Sequence, residues 1–217
     1  MTREALVEAR GLCVRLRGAR EAVEALDGVD FAVGAEELCV VRGPSGAGKT
    51  TLLLALGGMR RPSAGAVLFC GRDLYAGPAY ERDDYRARSV GFVFQGMHLL
   101  PYLDALHNVV LAGCSVAVAR ARLEALGLGE RLDHLPSALS AGERQRVALA
   151  RALVREPDVV LADEPTGNLD PESAELVLAE LEAFRACGGA VVLATHAGTL
   201  SIGPTPELRL ERGRRVS

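Results

Sequence analysis

Lysine is almost missing: of the 25 residues counted as lysine plus arginine, Lys49 is the single lysine. Aromatic side chains are scarce, at 4% of 217 residues, so large rings contribute little to the core or to any binding surface. No long apolar run is present either. The most continuous one, Val109 to Ala119, contains Gly113 and Ser115 and falls short of the roughly 20 residues a membrane helix needs. This excludes a polypeptide that spans a bilayer unaided. Met1-Thr2-Arg3-Glu4 leads into mixed-charge sequence without the apolar core of a signal peptide. Cys13, Cys39, Cys70, Cys114 and Cys187 form no C-x-x-C pair and read as reduced core residues of a cytosolic protein. A net charge of −3 gives no electrostatic case for nucleic-acid binding. Arg209, Arg212, Arg214 and Arg215 make the tail locally basic, and it reads as a solvated end. The length suits one compact domain with a substantial core.

The solitary lysine sits in Gly43-Pro44-Ser45-Gly46-Ala47-Gly48-Lys49-Thr50. A chain that otherwise uses arginine keeps a compact three-donor ammonium where a planar guanidinium would not fit. Glycines at the first and sixth positions let the backbone curl with N–H groups inward, a concavity suited to phosphate oxygens. Thr50 and Thr51 begin a breaker-free helix whose positive dipole end faces the same point. Glu37 to Arg42 is a short apolar run with β-branched residues at its centre, so strand, Gly-rich turn and helix occur in the order a phosphate-binding loop requires. At this chain's composition a chance match around one lysine arises about once in a thousand trials. Gly43 to Thr51 are therefore expected to hold a nucleotide, with Lys49 on the β- and γ-phosphates and the Thr50 hydroxyl on Mg²⁺.

Short strands separated by turns are expected over Ala5 to Leu16, Val29 to Val33, Leu38 to Val41 and Ala66 to Phe69. Ser89 to Phe94 reads as a buried strand ending at Gln95. From Gly96 to about Arg155 the pattern turns helical, with Val116, Ala119, Leu123 and Leu126 on one face of a helix that Gly127 stops. Strand Val159 to Ala162, a helix from about Pro171 to Cys187, and strand Ala190 to Ala194 follow. Alternating strands and helices predict an α/β fold with a mostly parallel sheet.

Val159-Val160-Leu161-Ala162-Asp163-Glu164 ends on two carboxylates, delivered to the edge where parallel-sheet sites lie. Asp163 is expected in the Mg²⁺ shell and Glu164 as the group that polarises the attacking water. Alone, such a pair is more often a solvated turn. Ser140 with Glu143 opens the helix Arg144 to Leu153 as a capping box, which accounts for both residues locally. A lone histidine at a strand end, such as His196, is more often a satisfied polar residue than a catalyst.

The run Leu139 to Leu153 closely resembles the signature of ATP-binding-cassette ATPases, and the resemblance covers nearly the whole chain in the family's order. The phosphate loop corresponds to Walker A, Gln95 to the Q-loop glutamine, Leu139 to Glu143 to the signature and Val159 to Glu164 to Walker B. Asn168-Leu169-Asp170 matches the D-loop and His196 the switch histidine. Glu164 to Asp170, and Gly91 to Gln95 with Leu99-Leu100-Pro101, look most like the lipoprotein-releasing, macrolide-export and cell-division branch.

The resemblance implies a P-loop NTPase fold with an antiparallel β region and a helical subdomain over 96–155, the catalytic core being 1–95 and 156–217. It implies ATP and Mg²⁺ as ligands, Gln95 and His196 beside Glu164 and Lys49 in catalysis, and Gln95 in the metal shell. Two cassettes would pack head to tail, most simply as a homodimer, with Ser140, Gly142 and Asp170 completing the partner's nucleotide site. A separate transmembrane permease is the expected second partner, which would hold the protein at the inner face of the cell membrane. Leu16 stands where the family usually has an adenine-stacking aromatic, which predicts modest discrimination between ATP and GTP. Ala141 replaces the first signature glycine, Ala197 an aspartate and His107 a glutamate of that branch. A lone P-loop switch or kinase, and a cassette that acts as a regulatory tether in cell division, are the competing functions. A guanine-specific GTPase is excluded because Asn-Lys-x-Asp needs a second lysine.

Overall fold

The structure, a computed structural model, describes residues 5–17, 22–196 and 205–216. Ala197, one of the departures noted above, lies outside them. The strands are β1 (Ala5–Arg17), β2 (Ala22–Gly34), β3 (Leu38–Arg42), β4 (Ala64–Phe69), β5 (Arg72–Asp73), β6 (Val90–Val93), β7 (Val159–Asp163), β8 (Ala190–Thr195), β9 (Glu207–Glu211) and β10 (Arg214–Val216). The helices are α1 (Lys49–Leu56), α2 (Ala79–Arg88), α3 (Ala105–Val110), α4 (Val116–Ala125), α5 (Ala141–Leu153) and α6 (Pro171–Ala186).

Two sheets form, a four-stranded one ordered β2-β1-β4-β5 and a six-stranded one ordered β10-β9-β3-β8-β7-β6. The first is antiparallel and the second parallel except at its β9–β10 edge. The apolar runs of β3, β7 and β8 are buried on both faces, and the two-residue period of a strand divides them between two cores. Cys39, Val41, Val159, Leu161, Ala190, Val192 and Ala194 join α1 and the antiparallel sheet. Leu38, Val40, Val160, Ala162, Val191 and Leu193 join the helices α3 to α6. The parallel sheet is thus a partition with a different layer on each side.

Register explains why distant residues meet. Arg42 pairs with Thr195, Asp163 with Ala194 and Val93 with Ala162, so β3, β8, β7 and β6 all end at one edge. The phosphate loop, His196, Glu164 and Gln95 each follow one of those strand ends.

Several sequence expectations need correction. The basic tail is not a solvated end: Glu207-Leu208-Arg209-Leu210-Glu211 is a strand parallel to β3, with Leu208 and Leu210 buried. Its period-2 alternation is only five residues long, and Arg209, Arg212, Arg214 and Arg215 in and after it give the segment the look of a solvated end. Helix α2 was not anticipated because it buries only Tyr85, whose hydroxyl donates to the Leu56 carbonyl at 3.0 Å. Val116, expected on the buried face of α4, is half-exposed because it is the helix's first residue and lies outside the packed turn formed by Ala119 and Leu123. Among the five free cysteines Cys39 alone is buried, Cys70 and Cys187 being exposed. Burial pushes the Cys39 thiol up to about 12, which makes it inert.

Candidate active site

The phosphate loop is shaped by close approach. A Cβ on Gly43 would lie 2.3 Å from the Leu210 carbonyl oxygen, and one on Gly48 would lie 2.5 Å from that of Ala25 while its φ is +104°. Only glycine fits either position. Pro44, Ser45 and Gly46 are exposed on the loop's crest, Ala47 is buried beneath it and its N–H donates to Pro44 at 3.1 Å. Helix α1 has Gly48 as N-cap, no side-chain cap and no acidic residue in its first turn. Its leading N–H groups therefore remain available to an anion.

Lys49 is 8% exposed and its ammonium donates to the carbonyls of Gly43 at 2.7 Å and Pro44 at 3.2 Å. Its third neighbour is Glu164, with Nζ 3.7 Å from Oε1. Two converging carbonyls suit a tetrahedral donor better than a planar fork, in line with the one lysine of the chain standing here.

The Thr50 hydroxyl donates to Asp163 Oδ2 at 2.7 Å, so the first helical turn and the end of β7 meet. Burial raises the Asp163 carboxyl, and the Thr50 hydrogen bond opposes that rise. An oxygen pair on a buried carboxylate that lacks full charge compensation is the donor set a small hard cation takes, and Thr50 with Asp163 fits Mg²⁺.

Glu164 follows directly, at φ 47°. That turn points its side chain back across the sheet edge, where Oε1 lies 2.7 Å from His196 Nδ1 and Oε2 accepts from the Thr195 hydroxyl at 3.2 Å. An ionised carboxylate only accepts, so His196 Nδ1 carries the hydrogen in this pair. Glu164 is 9% exposed. A left-handed conformation at a non-glycine residue costs about 1 kcal/mol or more and persists only where surroundings enforce it. Here β8 enforces it, since Glu164 N–H donates to the Ala194 carbonyl at 2.9 Å.

The other expected residues stand differently. Gln95 is exposed just beyond β6 and makes no hydrogen bond among the described residues, so it shares the site's edge without joining Asp163. Thr51 is half-buried in the first turn of α1. Ser140 caps α5, accepting from Glu143 N–H at 3.1 Å while its own N–H donates to Glu143 Oε2 at 2.7 Å. Those hydrogen bonds, from the Ser140 backbone first and Arg131 second, hold Glu143 below the usual carboxylate range. Asp170 caps α6 by accepting from Ser173 N–H at 2.9 Å, which likewise lowers it. A Cβ on Gly142 would fall 2.2 Å from Ser173 Oγ, so the two caps sit side by side. Neither bonds to the phosphate loop among the described residues.

Sequence reasoning missed two supports. Buried Asn108 accepts from Leu100 N–H at 2.8 Å and donates to the carbonyls of Leu100, Leu103 and Asp104, fixing the segment after Gln95. Arg151 of α5 donates to the carbonyls of Met97 and His98, both at 2.7 Å, which ties the signature helix to that segment. Met97 and His98 have positive φ, so their carbonyls project in a way that only a folded loop presents. The cavity of about 440 Å³ in front of the phosphate loop is lined by Leu16, the residue standing where the resemblance puts the adenine-stacking aromatic, and by Val23, Glu24 and Arg212.

Comparison with known proteins identifies the family. A family model described as ABC transporter matches residues 26–167. The lipoprotein-releasing system ATP-binding protein LolD of Xanthomonas campestris pv. campestris is 47% identical over 197 residues, covering 87% of this chain and 82% of that one. LolD of Novosphingobium aromaticivorans is 44% identical, covering 92% and 96%. Among solved structures, the dimeric post-hydrolysis state of the ATP-binding cassette MJ0796 bound to ADP and Pi superimposes with a TM-score of 0.89 at 30% identity, covering 97% of both chains. CbiO1 of Clostridium perfringens, part of the complex cbiONQ, gives 0.82 at 25% identity, covering 99% of this chain and 88% of that one.

Proposed function

This chain belongs to the ABC transporter family as an ATP-hydrolysing cassette subunit, and from that premise we propose that two copies close head to tail around ATP to drive a separate membrane permease. The observation that carries the reading is the convergence of Lys49, the Thr50–Asp163 pair and the Glu164–His196 pair at one sheet edge. Lys49 holds the β- and γ-phosphates, exchanging loop carbonyls for phosphate oxygens. Thr50 and Asp163 would hold Mg²⁺, with Gln95 as a further ligand, and the ion would supply charge neutralisation on the phosphate oxygens. Glu164 takes the proton of the water that attacks the γ-phosphorus, and ADP leaves. His196 and Thr195 keep both carboxylate oxygens oriented for that transfer.

Ser140, Gly142 and Asp170 serve the opposite site. Ser140 and Asp170 are exposed, Gly142 is packed against Ser173 between them, none of the three bonds to its own chain's phosphate loop among the described residues, and a dimeric cassette is among the structures most like this one. The γ-phosphate then joins the two copies, and its removal lets them separate, which is how hydrolysis becomes motion. No helix among the described residues is long and apolar enough to cross a membrane, so work on a membrane calls for a partner that does. The LolD relatives favour transport over a tethering role, and lipid-modified protein is the cargo class we assign.

The test is the Glu164→Gln chain with saturating ATP and Mg²⁺, followed by light scattering. A dimer that dissociates when nucleotide is removed is expected; a monomer throughout rejects the head-to-tail mechanism. Reconstitution with a candidate permease, and release of a lipid-modified protein on adding ATP, tests the cargo; no release with a permease that binds the chain rejects that cargo class.

A further inference from the structure

The cavity in front of the phosphate loop offers a base no aromatic ring. Its wall has aliphatic surface from Leu16 and Val23, the latter 57% exposed, and one guanidinium, that of Arg212. Glu24, also on that wall, is already engaged by Arg15 at 3.1 Å. Arg212 has no hydrogen bond or ion pair among the described residues and is exposed.

Its position is nonetheless fixed. Arg212 and Gly213, at φ 47° and 78°, form the two-residue turn between Glu211 and Arg214, the conformation that suits the twist of a hairpin. Gly213 N–H donates to the Ala47 carbonyl of the phosphate loop at 3.0 Å, and its carbonyl accepts from Asp27 N–H at 2.8 Å. Arg214 closes the clamp on Asp27 at 2.8 Å. A Cβ on Gly213 would fall 2.8 Å from the Ala25 carbonyl oxygen, so the turn is pressed against β2. A backbone tied to both the loop and β2 carries an uncommitted, planar, cationic side chain on the wall of the cavity that Leu16 and Val23 also line.

We propose that Arg212 is the base-contacting residue of this nucleotide site, its guanidinium plane stacking on the purine while Leu16 and Val23 supply the aliphatic contact. This rests on the reading of the cavity as the ATP site. Guanidinium stacks on a purine face much as a ring does and is tolerant of which purine it meets. The contact therefore restores affinity for the nucleoside without restoring selectivity for adenine.

The experiment compares dissociation constants for ATP, GTP and inorganic tripolyphosphate, each with Mg²⁺ at fixed salt, in the full chain and its variants. Arg212→Ala is expected to weaken ATP and GTP by similar factors, about three- to tenfold, and to leave tripolyphosphate unchanged. Arg212→Lys is expected to match the alanine variant, since an ammonium cannot stack, and Arg212→Tyr to recover ATP affinity. Equal losses for ATP and tripolyphosphate, or full ATP affinity in the lysine or alanine variant with its melting temperature unchanged, overturn the assignment. A wild-type chain that binds neither ATP nor tripolyphosphate overturns the ATP-site reading and this assignment together. Normal wild-type binding with an indifferent Arg212→Ala overturns this assignment alone.

Discussion

Helices α1 and α5 both begin at surfaces suited to an anion, yet they are finished in opposite ways. Helix α1 starts on glycine with no side-chain cap, and its leading N–H groups face a cavity beside a buried ammonium. Helix α5 starts on a complete capping box, with Ser140 and Glu143 satisfying one another and Arg131 steadying Glu143 at 2.8 Å. Asp104, Ser115 and Asp170 cap α3, α4 and α6 more simply, each by one side-chain oxygen that accepts a backbone N–H. An end that binds its ligand within one chain can leave donors open, because the folded loop around it already fixes the geometry. On the proposed head-to-tail reading the α5 end meets its ligand only on a second copy, and a cap keeps the helix intact until then.

This contrast can be attacked at both ends. The largest expected effect is at the residue that serves both states. Glu164→Gln should slow turnover at least about a hundredfold while leaving ATP binding in place, as loss of a proton acceptor does. Near-normal single-turnover rates would remove Glu164 from that role. Next, Lys49→Arg should weaken MgATP binding by about tenfold or more despite conserving charge, because two loop carbonyls and Glu164 leave no room for a planar fork. Wild-type affinity in isothermal titration would show that only the charge matters.

Smaller effects separate the capped end from the open one. Ser140→Ala should lower stability by about 1 kcal/mol, seen as a lower urea midpoint, and weaken ATP-driven dimerisation in the Glu164→Gln background. Binding of ATP to the monomer should not change; if it falls, α5 acts on its own chain's nucleotide. The smallest effect concerns pH. Glu143 is lowered in the folded chain, so its contribution is fully present above its usual value of 4.5 and is lost as pH falls through the lower folded value. The stability gap between wild type and Glu143→Gln should therefore shrink on the acid side of 4.5, and a gap constant across that range would dismiss the ionised capping box.

Most of the catalytic edge could be read from the chain because each part is a contiguous string. The phosphate loop, Val159 to Glu164 and the Ser140 box each join a local conformation to a chemistry within eight residues. Helix α2 escaped because its single buried tyrosine leaves no periodic stripe, and β9 because its alternation is short and flanked by arginines. Asn108 and Arg151 escaped for another reason: their partners are backbone carbonyls, which no residue type reveals.

Residue identity alone settled what depends on neighbours along the chain: where the backbone must curl, which helix ends are capped, which carboxylates follow a buried strand. The folded sheet settled what depends on register across strands. Pairing of Asp163 with Ala194 brings Glu164 to His196, and the parallel placement of β9 beside β3 carries Arg212 from a basic tail to the rim of the nucleotide cavity. Local steric rules act over a few residues, whereas those meetings join positions tens to well over a hundred residues apart and exist only once both cores have closed.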